Sequence, residues 1–213
     1  MSDAEVAKPG PAPAAIIEAA PRQAVDNRVF VLVLQHPQER REMLATAVAA
    51  VSTLRRGELV AGLSWPNLSR ALGGQADPKR WGVLYLGSAR PAARGQARQI
   101  TVLGRGATPV ADTDPILRSL EGIVLLDGSW KEAKTLWWRN PWLLKLHRLV
   151  LNPPLPARLG LLRREPRREA LSTLEAAALV LRHLETAPSA ADALLAALDR
   201  LIEAAQRPGS ATG

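Results

Sequence analysis

A chain of 213 residues with a formal net charge of +8 is long enough for one domain with a sizeable core and too short for two full ones. It contains no cysteine, which excludes disulfides, thiolate zinc sites and a cysteine nucleophile. The excess of arginine and lysine favours a polyanionic partner such as nucleic acid, although an arginine- and alanine-rich composition is also what a GC-rich genome produces. No apolar stretch approaches the ~20 residues of a membrane span, and the N-terminus lacks the pattern of a signal peptide. The expected location is the cytoplasm, with no membrane partner.

The opening stretch MSDAEVAKPGPAPAAIIEAAPRQA mixes alanine and proline without an apolar period. It reads as a disordered lead-in over 1–25, ahead of a single α/β domain over 26–206 and a disordered tail over 207–213. VFVLVL at 29–34 is a continuous β-rich run, as expected for a strand buried on both faces of a parallel sheet. It is followed by HPQERREMLATAVAAVSTLRRG, in which Met43, Ala47, Val48, Val51 and Leu54 recur at helical spacing and Gly57 supplies a stop. His36 and Glu39 stand where this helix opens. The three histidines, His36, His147 and His183, are too scattered for a local metal cluster, so no metal is expected. His36 either caps or lines the strand end or acts as a general base.

Further strands are predicted at Val83–Leu86, Ile100–Leu103, Ile123–Leu126 and Arg148–Leu151. The basic stretches 62–80 and 87–98 read as loops at the edge of a binding surface. Alternating strands and helices predict a mostly parallel sheet flanked by helices. In such a sheet ligands bind beyond the carboxyl ends of the strands, and VLLDGSWKE at 124–132 lies at such an end. Gly128 allows a tight turn, and Ser129 with Glu132 fits a capping box. Capping leaves Asp127 and Trp130 without an explanation. Trp130, Trp137, Trp138 and Trp142 crowd together, and the spacings of 130, 137 and 138 mark one helical face. Most of them are therefore expected to pack inside, with one or two free to stack a base or face a cation.

In LLRREPRRE, Arg163, Arg164, Arg167 and Arg168 form either a solvated face or a clamp for RNA phosphates or a substrate carboxylate. Ser172 and Glu175 repeat the capping-box spacing before an apolar helix, although a helix start is also an anion site. Two amphipathic helices, STLEAAALVLRHLE and ADALLAALDRLIEAA, follow. Their apolar faces are expected to pack on the sheet or on a second subunit.

Taken together, HPQE at 36–39, Thr46, LYLGS at 84–88, LLDGSW at 125–130, NPWL at 140–143, RREP at 163–166 and LSTLEA at 171–176 resemble the DTW-domain family. Its members are S-adenosylmethionine-dependent tRNA-uridine aminocarboxypropyltransferases. The resemblance covers about residues 28–185 and rests on the order and spacing of the motifs. This chain has Ser129 where the family signature has threonine, Leu86 where proline usually follows the tyrosine, and none of the N-terminal cysteines that many relatives carry.

The resemblance implies a SPOUT-like fold with a C-terminal knot. The implied reaction transfers the 3-amino-3-carboxypropyl group of S-adenosylmethionine to N3 of a uridine in tRNA. In that setting Asp127 is the catalytic candidate, either as base for the N3 proton or as a ligand for the cofactor's ammonium group. Gly128, Ser129, Trp130, Ser172, Thr173 and Glu175 are the cofactor-binding candidates. The four arginines would bind RNA, and His36, Glu39 and Ser88 would line the substrate pocket. The alternatives are a methyltransferase of the same fold using the same cofactor in another pose, and a non-catalytic RNA-binding protein.

Overall fold

The apolar runs VFVLVL and IVLLD become neighbouring strands at the centre of one sheet. A computed structural model describes residues 24–38, 46–84, 99–152 and 171–206. The strands are β1 (Phe30–Gln35), β2 (Gly57–Ala61), β3 (Trp81–Leu84), β4 (Ile100–Leu103), β5 (Gly122–Asp127) and β6 (His147–Leu151). Their order across the sheet is β2-β1-β5-β3-β6-β4. All neighbouring pairs are parallel except β4, which runs antiparallel to β6 at one edge.

Six α-helices accompany them among the described residues: α1 (Thr46–Thr53), α2 (Leu68–Leu72), α3 (Asp114–Ser119), α4 (Trp130–Arg139), α5 (Thr173–Leu184) and α6 (Ser189–Gln206). Successive side chains of a strand point to opposite faces, so each central strand feeds two cores. Val31 and Val33 of β1, with Ile123 and Leu125 of β5, join alanines of α1 and leucines of α5 and α6. Leu32, Leu34 and Val124 pack on the other face with Leu68 of α2, Leu136 of α4 and the Trp142–Leu143 turn. Burial on both faces is why these strands carry unbroken apolar runs. Among the described residues no helix is long and apolar enough to cross a membrane.

One omission and three expectations are corrected here. β2 was not anticipated from the sequence: GELVA carries an acid and forms an edge strand, paired with β1 alone. Burial pushes the Glu58 carboxyl above its ordinary value. Gly57, expected as a helix stop, instead opens β2. A Cβ there would stand 3.1 Å from the backbone of Val51, so glycine lets the strand pass close to the end of α1. The buried face of α1 is Thr46, Ala47, Ala49, Ala50 and Thr53, with Val48 and Val51 only partly covered. Small side chains suit that face because α1 lies between the sheet and the pair α5 and α6. Finally, the stretch 62–80 is not all loop, since α2 forms within it, capped by the Asn67 side chain and ended by Gly73 in the left-handed conformation.

Met43, the stretch 87–98 and residues 153–170 lie outside the described residues.

Asn140, from NPWL, ties the end of α4 to the loop after β2. It is fully buried, and its amide donates to the carbonyls of Leu63 at 3.1 Å and Leu136 at 2.8 Å. Its oxygen accepts from the backbone N–H of Trp65 at 2.9 Å and the Trp142 indole at 3.2 Å. Asn140→Ala leaves buried donors and acceptors without partners and is expected to destabilise the fold by about 3 kcal/mol. Urea denaturation measures this, and a loss below about 1 kcal/mol would mean that water replaces the side chain.

Candidate active site

β1 and β5 are neighbours whose connections leave toward opposite faces. α1 follows β1 and packs on one face, while α4 follows β5 and packs on the other. The carboxyl ends of β1 and β5 therefore flank a topological switch point, where open α/β sheets form their binding crevices.

Register dictates what stands there. Gln35 and Asp127 are the last residues of β1 and β5 and lie directly opposite each other. Both continue the alternation of Val31, Val33, Ile123 and Leu125, so both point toward the face covered by α5. Gln35 Nε2 donates to Asp127 Oδ2 at 2.9 Å. Thr173, the first residue of α5, donates its hydroxyl to Asp127 Oδ1. The backbone N–H of His36 donates to the Asp127 carbonyl at 3.0 Å. Asp127 is only 7% exposed, and a carboxylate so covered is tolerable only because donors replace its water.

Beyond Asp127 the chain turns through Gly128 at φ 151°, a region closed to most side chains. Ser129 then caps α4. Its N–H and hydroxyl donate to Glu132 Oε2 at 2.8 and 2.7 Å, closing the expected capping box. The other oxygen, Glu132 Oε1, stands 3.4 Å from His36 Nδ1. The N–H of Gln38 also donates to that nitrogen at 3.3 Å. Nδ1 of His36 thus lies between the Gln38 N–H and the Glu132 carboxylate.

The second capping box is closed as well. Ser172 donates its N–H at 3.1 Å and its hydroxyl at 2.9 Å to Glu175 Oε2, and accepts from the Glu175 N–H at 3.2 Å. Ser172 and Glu175 are buried and occupied with each other, whereas Thr173 reaches the crevice. His36, Asp127, Gly128, Ser129 and Thr173 thus come together. Trp130 lies at the rim, 48% exposed. Glu39, Ser88, Arg163, Arg164, Arg167 and Arg168 lie outside the described residues.

Of the four clustered tryptophans, expected mostly inside with one or two left to stack a base or face a cation, two are covered and two are exposed. Trp142 is buried and Trp137 partly so, but Trp138 is 78% exposed. A helix ten residues long turns only its Ala133 and Leu136 side fully inward, and Trp138 lies about 160° from Leu136 at 100° per residue. Sequence reasoning also missed Gln35. The signal that could have found it is its place as the polar terminus of an apolar strand. Among the described residues no group of three or more His, Asp or Glu is placed to hold a metal ion.

The family model of the DTW domain matches residues 11–206. The tRNA-uridine aminocarboxypropyltransferase 2 of Drosophila melanogaster is 29% identical over 185 residues, which make up 85% of this chain and 65% of that protein. The chain therefore spans just under two thirds of that relative's length. No solved structure matches the chain.

Gly128 is the residue on which the turn depends. An added Cβ would stand 2.9 Å from Glu132 Cβ and 3.4 Å from His36 Cβ, in a backbone region that already strains an L-residue. Gly128→Ala is expected to cost about 1–3 kcal/mol and to break the Ser129–Glu132 box. Thermal unfolding reads the first effect. An unchanged melting temperature would show that the turn can relax to negative φ.

Proposed function

Because the chain belongs to the DTW-domain family, we propose that it transfers the 3-amino-3-carboxypropyl group of S-adenosylmethionine to N3 of a uridine in tRNA. The observation that carries this reading is the buried Asp127 carboxylate, held by Gln35 and Thr173 at the switch point of the sheet. The name of the Drosophila melanogaster relative supports it. A SPOUT-like fold with a C-terminal knot belongs to the same proposal. It is supported by the mostly parallel sheet and by α5, which returns from far along the chain to set its first residue against the end of β5.

S-adenosylmethionine, when bound, supplies a carbon made electrophilic by its sulfonium. It carries a cationic ammonium and an anionic carboxylate, and the crevice offers partners for both. Asp127 can hold the cation. The first-turn N–H groups of Thr173 and Leu174 are not engaged by the capping box and, with the positive end of the helix, suit the carboxylate. Gly128 keeps the backbone free of a side chain there, and Trp130 walls the rim. Ser129, Ser172 and Glu175 serve by fixing the two helix starts.

Asp127 has the geometry of a base. Its oxygens accept from the neutral donors Gln35 and Thr173, and as a carboxylate it can receive the N3 proton as the uridine nitrogen attacks. Gln35 and Thr173 are positioning residues that keep the carboxylate aimed. His36, Glu39 and Ser88 are proposed to line the uridine pocket, and Arg163, Arg164, Arg167 and Arg168 to hold tRNA phosphates. The reading places one catalytic domain over 26–206, between a lead-in over 1–25 and a tail over 207–213, in the cytoplasm with its tRNA.

Asp127→Asn keeps the shape but removes the base, and transfer should fall by at least about 100-fold with tRNA affinity within a few fold. Undiminished turnover would remove Asp127 from the mechanism. Lost affinity for S-adenosylmethionine in calorimetry would make Asp127 the ammonium ligand instead. Thr173→Val should lower turnover by about 10- to 100-fold by loosening the carboxylate, with tRNA affinity unchanged. The reaction type is tested with cofactor labelled in the methyl or in the carboxyl carbon. Only the carboxyl label should enter tRNA, and methyl label in RNA would make the protein a methyltransferase.

A further inference from the structure

α4 leads directly away from the crevice, since its first residue follows Gly128 and Ser129. At 100° per residue, Trp130, Lys134 and Trp138 fall along one side of it with Lys131 beside them, while Ala133 and Leu136 face the core. The stripe from Trp130 to Trp138 is about 12 Å long at 1.5 Å per residue. Trp130 is 48% and Trp138 78% exposed. Lys134 Nζ stands 5.1 Å from the Trp130 ring centroid, within cation–π range.

Lys131 and Lys134 on this side are both exposed, and they are two of the chain's five lysines. The acid within α4, Glu132, is turned toward Ser129 and His36.

We infer that this stripe is a docking surface for unpaired RNA nucleotides, the stretch flanking the nucleotide that enters the crevice. The inference rests on the proposed RNA-modifying reading and names how its substrate is held. Indole faces stack on bases, and ammonium groups pair with phosphates between them, which together is how single strands are gripped. A duplex hides its base faces and would use the lysines alone. A second copy of the chain in a two-fold contact would set these cations against themselves. Trp130, at the rim, is shared between the stripe and the crevice.

Fluorescence anisotropy with a labelled stem–loop bearing unpaired uridines, against a fully paired duplex of equal length, tests the assignment. The parent protein should prefer the loop. Trp138 is largely solvent-exposed, so Trp138→Ala should fold normally, bind S-adenosylmethionine as the parent does in calorimetry, and lose about tenfold or more in loop affinity. Trp138→Phe should keep most of that affinity. Lys131→Gln with Lys134→Gln should lower the salt slope by about two.

Loop binding indifferent to Trp138→Ala, or an equal loss on the duplex, overturns the inference. So does a parent dimer that Trp138→Ala dissociates in light scattering. If loop binding depends on Trp138 but no cofactor label reaches RNA, the docking surface stands and the proposed transfer falls. If transfer proceeds at the parental rate in Trp138→Ala at sub-saturating RNA, the surface falls and the transfer stands.

Discussion

A carboxylate taken out of water at the end of a strand must be met by donors, and for Asp127 these come from segments far away in the chain. Gln35 is 92 residues earlier and Thr173 46 residues later. The two bonds form only if β1 and β5 pair in the observed register and α5 arrives at one particular height above the sheet. A slip of one residue in either strand would turn Gln35 or Asp127 to the opposite face. The requirement of one side chain thus constrains the arrangement of three elements.

The position of α5 is fixed at both ends. Near its start the buried Ser172–Glu175 box closes the helix cap. Near its end Arg28 donates to the carbonyls of Leu120 at 2.8 Å and Leu184 at 2.7 Å, and Val29 N–H donates to Glu185 at 2.8 Å. Between them Ala176, Ala177 and Ala178 are buried, and small side chains let the helix lie close to its neighbours. Thr173 is therefore set in place by a whole helix rather than by a loop. That is the condition for a preorganised site, because a side chain held by rigid elements loses little freedom when a substrate arrives.

How much of this was legible in the sequence depended on whether the signal was local. β1 and β5 were readable because burial on both faces forces unbroken apolar runs, and both capping boxes because they lie within four consecutive residues. β2 was not readable: at the edge of the sheet it tolerates Glu58, and its short GELVA carries no apolar run. Gln35 was missed because its role exists only through register with Asp127. The alanine face of α1 was misjudged because spacing favoured the larger Val48 and Val51, whereas a helix wedged between sheet and helices buries what is small. The spacing of 130, 137 and 138 suggested one shared helical face, but the placement of α4 on its Leu136 side leaves Trp130 and Trp138 exposed while Trp137 is partly covered.

The electrostatics of the crevice follow from the same arrangement. α4 begins just after Asp127, and α5 begins at the residue bonded to it, so two helix N-termini converge on one buried carboxylate. Each carries partial positive charge from its aligned peptides, and together they favour a negative charge between them. The capping residues Glu132 and Glu175 offset part of that field, but each is turned onto its own helix start, where it satisfies backbone donors. A zwitterionic ligand meets both signs within this small space, the carboxylate of Asp127 and the uncapped amides of α5. A polyanion sees something different at the rim, where Lys131 and Lys134 are exposed and Asp127 is hidden. The burial that makes Asp127 costly to hold also screens it from the phosphates that such a polyanion would bring.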